Sequence, residues 1–212
     1  YAEAFCALKD DLYRQTIEEI VGYLKDKMQD ETGAFYSAQD ADSEGEEGKY
    51  YVWPYQEFTQ LLTKEELDFF DSSFAIRPEG NFKEEATGKP TEKNILYWRK
   101  KPAEIADDLN LQSRAQVWEK WDSIRKKLYD ARENRVAPET DIKILTDYNS
   151  LLAAALARAG RAIENESLIE TAKTIVNFIH NNLFGEDNTL LHQYHKGEAK
   201  IWANLDDYAY LM

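Results

Sequence analysis

The residues best suited to chemistry are carboxylates concentrated in one short acidic segment. Residues 39–53 read QDADSEGEEGKYYVW, and five carboxylates lie within eight of these positions: Asp40, Asp42, Glu44, Glu46 and Glu47. Mutual repulsion makes such a cluster costly unless cations, backbone N–H groups or water balance the charge. Three interpretations stay open: a cation site, a carboxylate pair for acid–base chemistry, and a solvated acidic hairpin.

The first half of the segment resembles the start of an EF-hand calcium loop. Position twelve of that loop would be Tyr51 rather than Glu, and strand-like stretches rather than helices flank the segment. An EF-hand is therefore excluded. Asp40 and Asp42 are candidate catalytic residues, and Glu44 and Glu46 are candidate substrate-binding residues.

Further candidates lie in two later segments of the chain. Asp141 and Asp206 are candidate catalytic carboxylates, and Lys143, Asn149 and Asp207 are candidate substrate-binding residues near them. Because Asp206 and Asp207 are adjacent on a predicted helix, they point in different directions. We expect one of them to cap the helix and the other to face a cavity.

Histidine and tryptophan complete the candidate set. His192 follows a strand-like segment, and an imidazole at such a position can transfer protons near neutral pH. Trp53 and Trp202 lie near predicted loops, where an indole ring either stacks on a sugar or packs in the core. No metal-ligand spacing joins the histidines. The sequence therefore predicts no metal site and no cofactor.

Composition limits the classes of partner. The formal net charge is -14, which repels a phosphate backbone and argues against nucleic acid as a partner. No run of eighteen apolar residues occurs, so we expect no membrane partner. The single cysteine, Cys6, excludes an internal disulfide and favours a reducing, cytoplasmic location. Its Ala-rich helical surroundings predict a buried, inert thiol.

Helical periodicity identifies the elements that must position these side chains. Apolar residues are spaced so that they would lie on one face of a helix. This pattern predicts helices over residues 10–28, 147–163 and 166–183, and a fourth helix capped by Ser113. Pro54 and Pro102 each fit the first turn of a shorter helix. Residues 1–35 match residues 156–190 at a constant offset, and a third copy begins at Trp202.

Recurrent helix hairpins cannot bury their apolar faces alone and must stack on neighbours. The long, irregular connections at residues 31–53 and 77–101 favour a toroid over an open solenoid. We therefore predict an all-α fold: residues 1–212 form a single fragment of a toroid of antiparallel helix hairpins, with short β-hairpins in its loops. Because both ends of the chain stop inside helical pattern, we also expect self-association through the cut ends of the toroid.

Four segments carry a resemblance to a known family. They are residues 35–53, residues 79–82 with 93–96 (EGNF and KNIL), residues 141–149 (DIKILTDYN) and residues 205–209 (LDDYA). Together they resemble the YyaL-type family of thioredoxin-domain-containing proteins, which includes the spermatogenesis-associated relatives. The resemblance implies a larger protein whose N-terminal thioredoxin-like domain is absent from this chain. It also implies that residues 1–212 are a fragment of a six-hairpin, (α/α)6 toroid similar to glycosidases and to N-acylglucosamine 2-epimerases.

The chain departs from the family pattern around Asp141. Ile142 stands where the family has a second Asp, while Asp147, Tyr148 and Ser150 replace Ser, Trp and Gly. Two functions stay open: a domain that binds or processes a carbohydrate or other small polar ligand at the loop end of the toroid, and a non-catalytic scaffold module attached to a redox domain. Facing carboxylates across a cavity would favour the first, and carboxylates held in local turns would favour the second.

Overall fold

The computed structural model describes residues 1–83 and 87–212, and helices account for about 53% of these residues. The described helices, in chain order, are α1 Ala2–Leu8, α2 Asp11–Tyr23, α3 Tyr55–Leu61, α4 Lys64–Ser73, α5 Pro102–Asp108, α6 Arg114–Arg132, α7 Thr146–Ile163, α8 Glu166–Asn182 and α9 Leu205–Leu211. A π-helical turn, Leu24–Met28, extends α2. None of these helices combines the length and the apolar composition needed to cross a membrane. The predicted all-α fold is confirmed in its coarser form, as a mostly helical chain with short strands.

The strands are short and form small antiparallel sheets. They are β1 Ala38–Gln39, β2 Asp42–Ser43, β3 Glu46–Glu47, β4 Trp53–Pro54, β5 Lys93–Asn94, β6 Thr140–Asp141, β7 Ile144–Leu145, β8 Leu191–His195 and β9 Glu198–Trp202. β1 pairs with β6, β2 with β3, and β4 with β5, while β7, β8 and β9 form a three-stranded sheet in that order.

The chain divides into two compact units. Unit 1 comprises residues 1–40 and 140–212, and unit 2 comprises residues 41–139. The core of unit 1 is aliphatic, with Ile175, Ile179, Leu183 and Leu190 wholly buried. The core of unit 2 is aromatic and contains a contiguous group of rings: Phe58, Phe70, Phe74, Trp98 and Trp121.

The predicted internal repeat is present in unit 1, down to individual hydrogen bonds. Each copy has a helix, a left-handed residue, an Asx N-cap that accepts a hydrogen bond from the backbone N–H two residues on, and a second helix. The corresponding residues, 155 positions apart, are Lys9 (φ 52°) and Glu164 (φ 56°), the caps Asp10 and Asn165, and the donors Leu12 and Ser167.

The loop after each hairpin repeats as well. An isolated antiparallel bridge joins Gln29 to Phe35, and its counterpart joins Phe184 to Leu190, again 155 positions on. The next residue after each bridge, Tyr36 or Leu191, donates its N–H to the carbonyl of the last residue of the preceding turn, Met28 or Leu183. The same backbone path is therefore built twice from different side chains.

Several local predictions need correction. Ser113 is the N-cap residue of α6, but its side chain forms no capping hydrogen bond. Pro102 occupies the first turn of α5, whereas Pro54 precedes α3 as its N-cap residue. Cys6 is exposed rather than buried, because it lies on the outward side of the short helix α1, next to the buried Phe5.

Two helical glycines differ in the space around them, which predicts opposite effects for the same substitution. A Cβ at Gly22 would meet nothing within 4 Å, so Gly22→Ala should stabilise the protein by about 0.5–1 kcal/mol through helix propensity. A Cβ at Gly160 would lie 2.8 Å from the Asn165 carbonyl oxygen and 2.8 Å from Ile169. Gly160→Ala should therefore destabilise by about 1–3 kcal/mol. Urea unfolding of both variants measures the two changes in the free energy of unfolding. Changes of the same sign would contradict the prediction.

Glu66 couples α4 to α6 in unit 2 and predicts a response to acid. Its carboxylate accepts hydrogen bonds of 2.8 and 2.7 Å from Nζ of Lys127 and one of 2.9 Å from the N–H of Thr63. The lysine hydrogen bond lowers the pKa of Glu66 from 4.5 to about 2. A lowered carboxyl pKa adds stability that is complete above pH 4.5 and disappears as the pH falls from 4.5 to 2.

We therefore expect Glu66→Gln to flatten the fall in melting temperature across that acid range. The matched control is Glu65→Gln, because the neighbouring Glu65 side chain is 83% exposed in its pair with Lys120. That variant should keep the wild-type slope. Scanning calorimetry at several pH values compares the three proteins, and identical slopes would contradict the role of Glu66.

Candidate functional site

The site is a cluster of three polar side chains in unit 1: Asp147, His192 and Asp207. Each contributes one potential ligand atom, and these atoms all lie within 4.8 Å of one another. Asp147 comes from the first turn of α7, His192 from β8, and Asp207 from the first turn of α9. The cluster therefore joins the start of two helices to the strand that runs between them.

Asp207 is the fixed centre of this cluster. It is 0% exposed, and its two oxygens accept backbone N–H groups from different elements: Asp147 at 2.9 Å and Asn204 at 2.7 Å. Asn204 and Asp207 also form a capping box at the start of α9. These backbone hydrogen bonds thus fix the position of the carboxylate independently of its contacts with other side chains.

His192 is oriented by that carboxylate. Its Nδ1 lies 3.0 and 2.9 Å from Oδ1 and Oδ2 of Asp207. Because hydrogen bonds to a carboxylate need a donor, Nδ1 carries the proton in this contact. This leaves Nε2 as the ring nitrogen that can meet a ligand, as in other sites where a buried carboxylate fixes an imidazole.

The backbone near His192 is held tightly. Thr146, wholly buried, donates its hydroxyl to the carbonyl of Leu191 at 2.6 Å. On the other side of β8, the register pairs Leu191 with Trp202 and Gln193 with Lys200, which places Ile201 across from His192. Ile201 has a φ of 68°, a left-handed value that is strained for a β-branched residue.

Exposed aromatic rings lie next to the cluster in sequence and in the sheet. Tyr148 follows Asp147 and is 55% exposed, and Tyr208 follows Asp207 and is 43% exposed. Trp202, the sheet partner of Leu191, is 69% exposed. The helices that carry the cluster, and the strand paired with β8, therefore also expose aromatic rings to solvent.

The carboxylates predicted as catalytic lie elsewhere or are already paired. Asp206 is exposed, whereas its neighbour Asp207 is buried. The side chain of Lys143 lies 2.8 Å from Asp141 and, by its hydrogen bond, lowers the pKa of that carboxyl. Asp40 is exposed in unit 1, and Asp42 is exposed in unit 2.

Two residues predicted to bind substrate are structural instead, and these predictions are corrected. Trp53 is 3% exposed, stacks on Phe58 and lies beneath the guanidinium of Arg135, so its ring belongs to the core of unit 2. Asn149 is 1% exposed, and its amide bonds the N–H and the carbonyl of Phe35 and the carbonyl of Leu145. Both side chains are fully engaged within the fold.

The acidic segment forms a tight hairpin of its own. β2 pairs with β3 around Glu44 and Gly45, whose φ values of 53° and 76° are the positive ones that a type I′ turn requires. Glu44 lies 2.9 Å from Lys49, and Glu46 pairs with Lys93. The strand-like stretches that flank the segment pair with other parts of the chain: Phe35 bridges to Gln29, and Trp53 pairs with Asn94.

Comparison with known proteins gives distant relatives. No family model matches the chain. Human spermatogenesis-associated protein 20 is 27% identical over an alignment 242 residues long, which covers the whole chain and 30% of that protein. The mouse protein of the same name is 26% identical over 238 residues, with the same coverage. An uncharacterised protein of Caenorhabditis elegans is 27% identical over 228 residues, covering 96% of the chain and 31% of that protein.

The chain thus spans about 30% of the length of the curated relatives that it matches. Their names state no reaction, ligand or partner. This chain is distantly similar, over its whole length, to a part of spermatogenesis-associated protein 20.

Proposed function

We propose that unit 1 binds a polyhydroxylated small molecule of the carbohydrate class at the face that carries His192. The observation behind this proposal is the contact between His192 Nδ1 and the wholly buried Asp207, which fixes the ring and leaves Nε2 as the nitrogen for a ligand. An oriented imidazole can accept a hydrogen bond from a hydroxyl group or exchange a proton with it. Asp147 supplies a second polar group beside it.

Exposed rings on neighbouring elements support the same ligand class: Tyr148 on α7, Tyr208 on α9, and Trp202 on the strand paired with β8. A sugar ring presents C–H groups on one face and hydroxyls at its edge, so it combines aromatic stacking with hydrogen bonds to polar side chains. A nucleic acid fits this face less well, because the protein carries a net charge of -14.

The proposal extends to architecture. Two helix hairpins of unit 1 share the same caps and the same bridged loop 155 residues apart, which supports stacking of like units into a closed (α/α) toroid. In such a toroid the loops after the hairpins gather at one end. His192 lies in β8, directly after one of these loops, which is the position that a ligand site at the loop end requires.

A saccharide binding screen tests the proposed function. A panel of neutral mono- and disaccharides is titrated into the protein and followed by ligand-observed NMR. We expect at least one ligand to bind to the wild type and its affinity to fall at least tenfold in His192→Gln. The matched control is His195→Gln, because His195 lies in the same strand. No binding to the wild type, or equal binding by the two variants, would overturn the proposal.

A scaffold role is the second candidate, and the paired carboxylates of the acidic hairpin favour it. Glu44 and Glu46 each contact a lysine, and so does Asp141, which is typical of a structured surface rather than of a catalytic pair. Under this alternative the acidic segment of residues 40–47 attracts a cationic partner. Asp40→Asn/Asp42→Asn should then weaken salt-dependent binding of a lysine-rich probe peptide and leave saccharide binding unchanged.

A further inference from the structure

We propose that Asp147, His192 and Asp207 form a binding site for a divalent transition-metal ion. The inference does not depend on the organic ligand proposed above, because it rests on the donor atoms alone. One nitrogen and two carboxylate oxygens come from three separate elements of unit 1 and lie within 4.8 Å of one another.

The spacing of the donors is close to that of a bound metal. Three points no more than 4.8 Å apart lie within about 2.8 Å of a common point (4.8 divided by √3). Zinc binds histidine nitrogen and carboxylate oxygen at about 2.0–2.2 Å, so each donor needs to move inward by less than about 1 Å. His192, with 19% of its side chain exposed, and the partly exposed Asp147 have the freedom to make that movement.

Asp207 gives the site its preorganisation. Its oxygens are anchored by the N–H groups of Asp147 and Asn204, and each oxygen keeps a lone pair on the side where His192 lies. The metal takes the place of the proton shared between the imidazole and the carboxylate. Bonds that fix a ligand in this way commonly raise metal affinity by 10- to 100-fold.

The chemistry of the donors selects the class of ion. Two ionised carboxylates and a neutral imidazole carry a charge of -2, which a divalent cation neutralises. An imidazole nitrogen suits Zn²⁺, Fe²⁺, Co²⁺ or Ni²⁺ better than Mg²⁺ or Ca²⁺, and the absence of sulfur from the cluster disfavours Cu⁺. Three protein donors leave at least one coordination position open to water or to a ligand, as in catalytic rather than structural zinc sites.

The three histidines of the sequence allow a sharp experiment. In His180→Gln/His195→Gln, His192 is the only histidine left, so any signal from a nitrogen-bound metal reports on this site. This background protein is titrated with Co²⁺, followed by visible absorption, and with Zn²⁺, followed by calorimetry. An excess of Mg²⁺ occupies the oxygen-only sites of the acidic surface.

We expect one metal ion per chain, with visible Co²⁺ bands that indicate a nitrogen donor. His192→Gln should abolish the bands, and Asp147→Asn should weaken binding at least tenfold, with an unchanged circular dichroism spectrum in both. Asp206→Asn, the exposed neighbour of Asp207, is the matched control and should bind as the background does. Absence of stoichiometric binding, or binding that survives His192→Gln, would overturn the inference.

Discussion

Replacing Asn149 by Ala should lower the free energy of unfolding by about 3 kcal/mol, because two backbone groups of Phe35 lose their partner. The Asn149 amide accepts the N–H of Phe35 at 2.9 Å and donates to its carbonyl at 2.9 Å, across 114 positions of sequence. Phe35 is 4% exposed. Each buried polar group left unsatisfied costs about 1–3 kcal/mol.

Asn177→Ala on α8 is the matched control for this prediction. Asn177 is exposed, so its replacement should change stability by no more than about 0.5 kcal/mol. Urea denaturation of the wild type and both variants gives the comparison. A loss below 1 kcal/mol for Asn149→Ala would mean that water satisfies Phe35 and that Asn149 is free for another role.

Replacing Asp207 by Asn should also cost about 2–3 kcal/mol, although the two side chains have nearly the same shape. One oxygen can still accept a backbone N–H, but the new amide NH₂ group then faces the second N–H, from Asp147 or Asn204. The amide NH₂ and this backbone N–H are both donors and face each other in a wholly buried position. One charge-assisted hydrogen bond is therefore lost, and no other bond replaces it. The start of α9 should therefore loosen.

The control for Asp207→Asn lies one residue away. Asp206→Asn removes the same charge from the same helical turn at an exposed position, and its effect should stay within about 0.5 kcal/mol. Thermal unfolding compares stability, and the NMR resonances of the His192 ring report its orientation. Equal stability of the two variants would contradict the anchoring role of Asp207.

The helices of unit 1 were predictable because local signals mark them. Asp10 and Asn165 cap α2 and α8 close to the predicted starts of these helices, and the apolar stripe of α8 faces the core. The repeat was also visible in the sequence, since the same turns recur at one offset. The pairings of the two-residue strands, β1 to β7, were not predictable, because segments of two residues carry no alternating pattern. Phe35 and Trp53 therefore acquired partners that tertiary contacts decide.

The candidate site was predictable only in part. His192 and Asp207 were singled out by residue type, but their contact spans 15 residues and requires β8 and α9 to be placed first. Asp147 appeared in the sequence only as a departure from a family pattern, and it lies 45 residues before His192. Ligand atoms spread over such distances have no motif spacing, so only the fold brings them together.

The small ribbon formed by β1 and β6 has a consequence for how this chain tolerates insertions. It makes Gln39 and Thr140 direct neighbours, so the 100 residues from 40 to 139 form a loop whose ends are clamped together. The entropy of closing a loop grows only with the logarithm of its length: about 4 kcal/mol for 100 residues against about 2 kcal/mol for ten. Insertion of the whole of unit 2 between these two strands thus raises the entropic cost of closing the loop by only about 2 kcal/mol relative to a ten-residue surface loop.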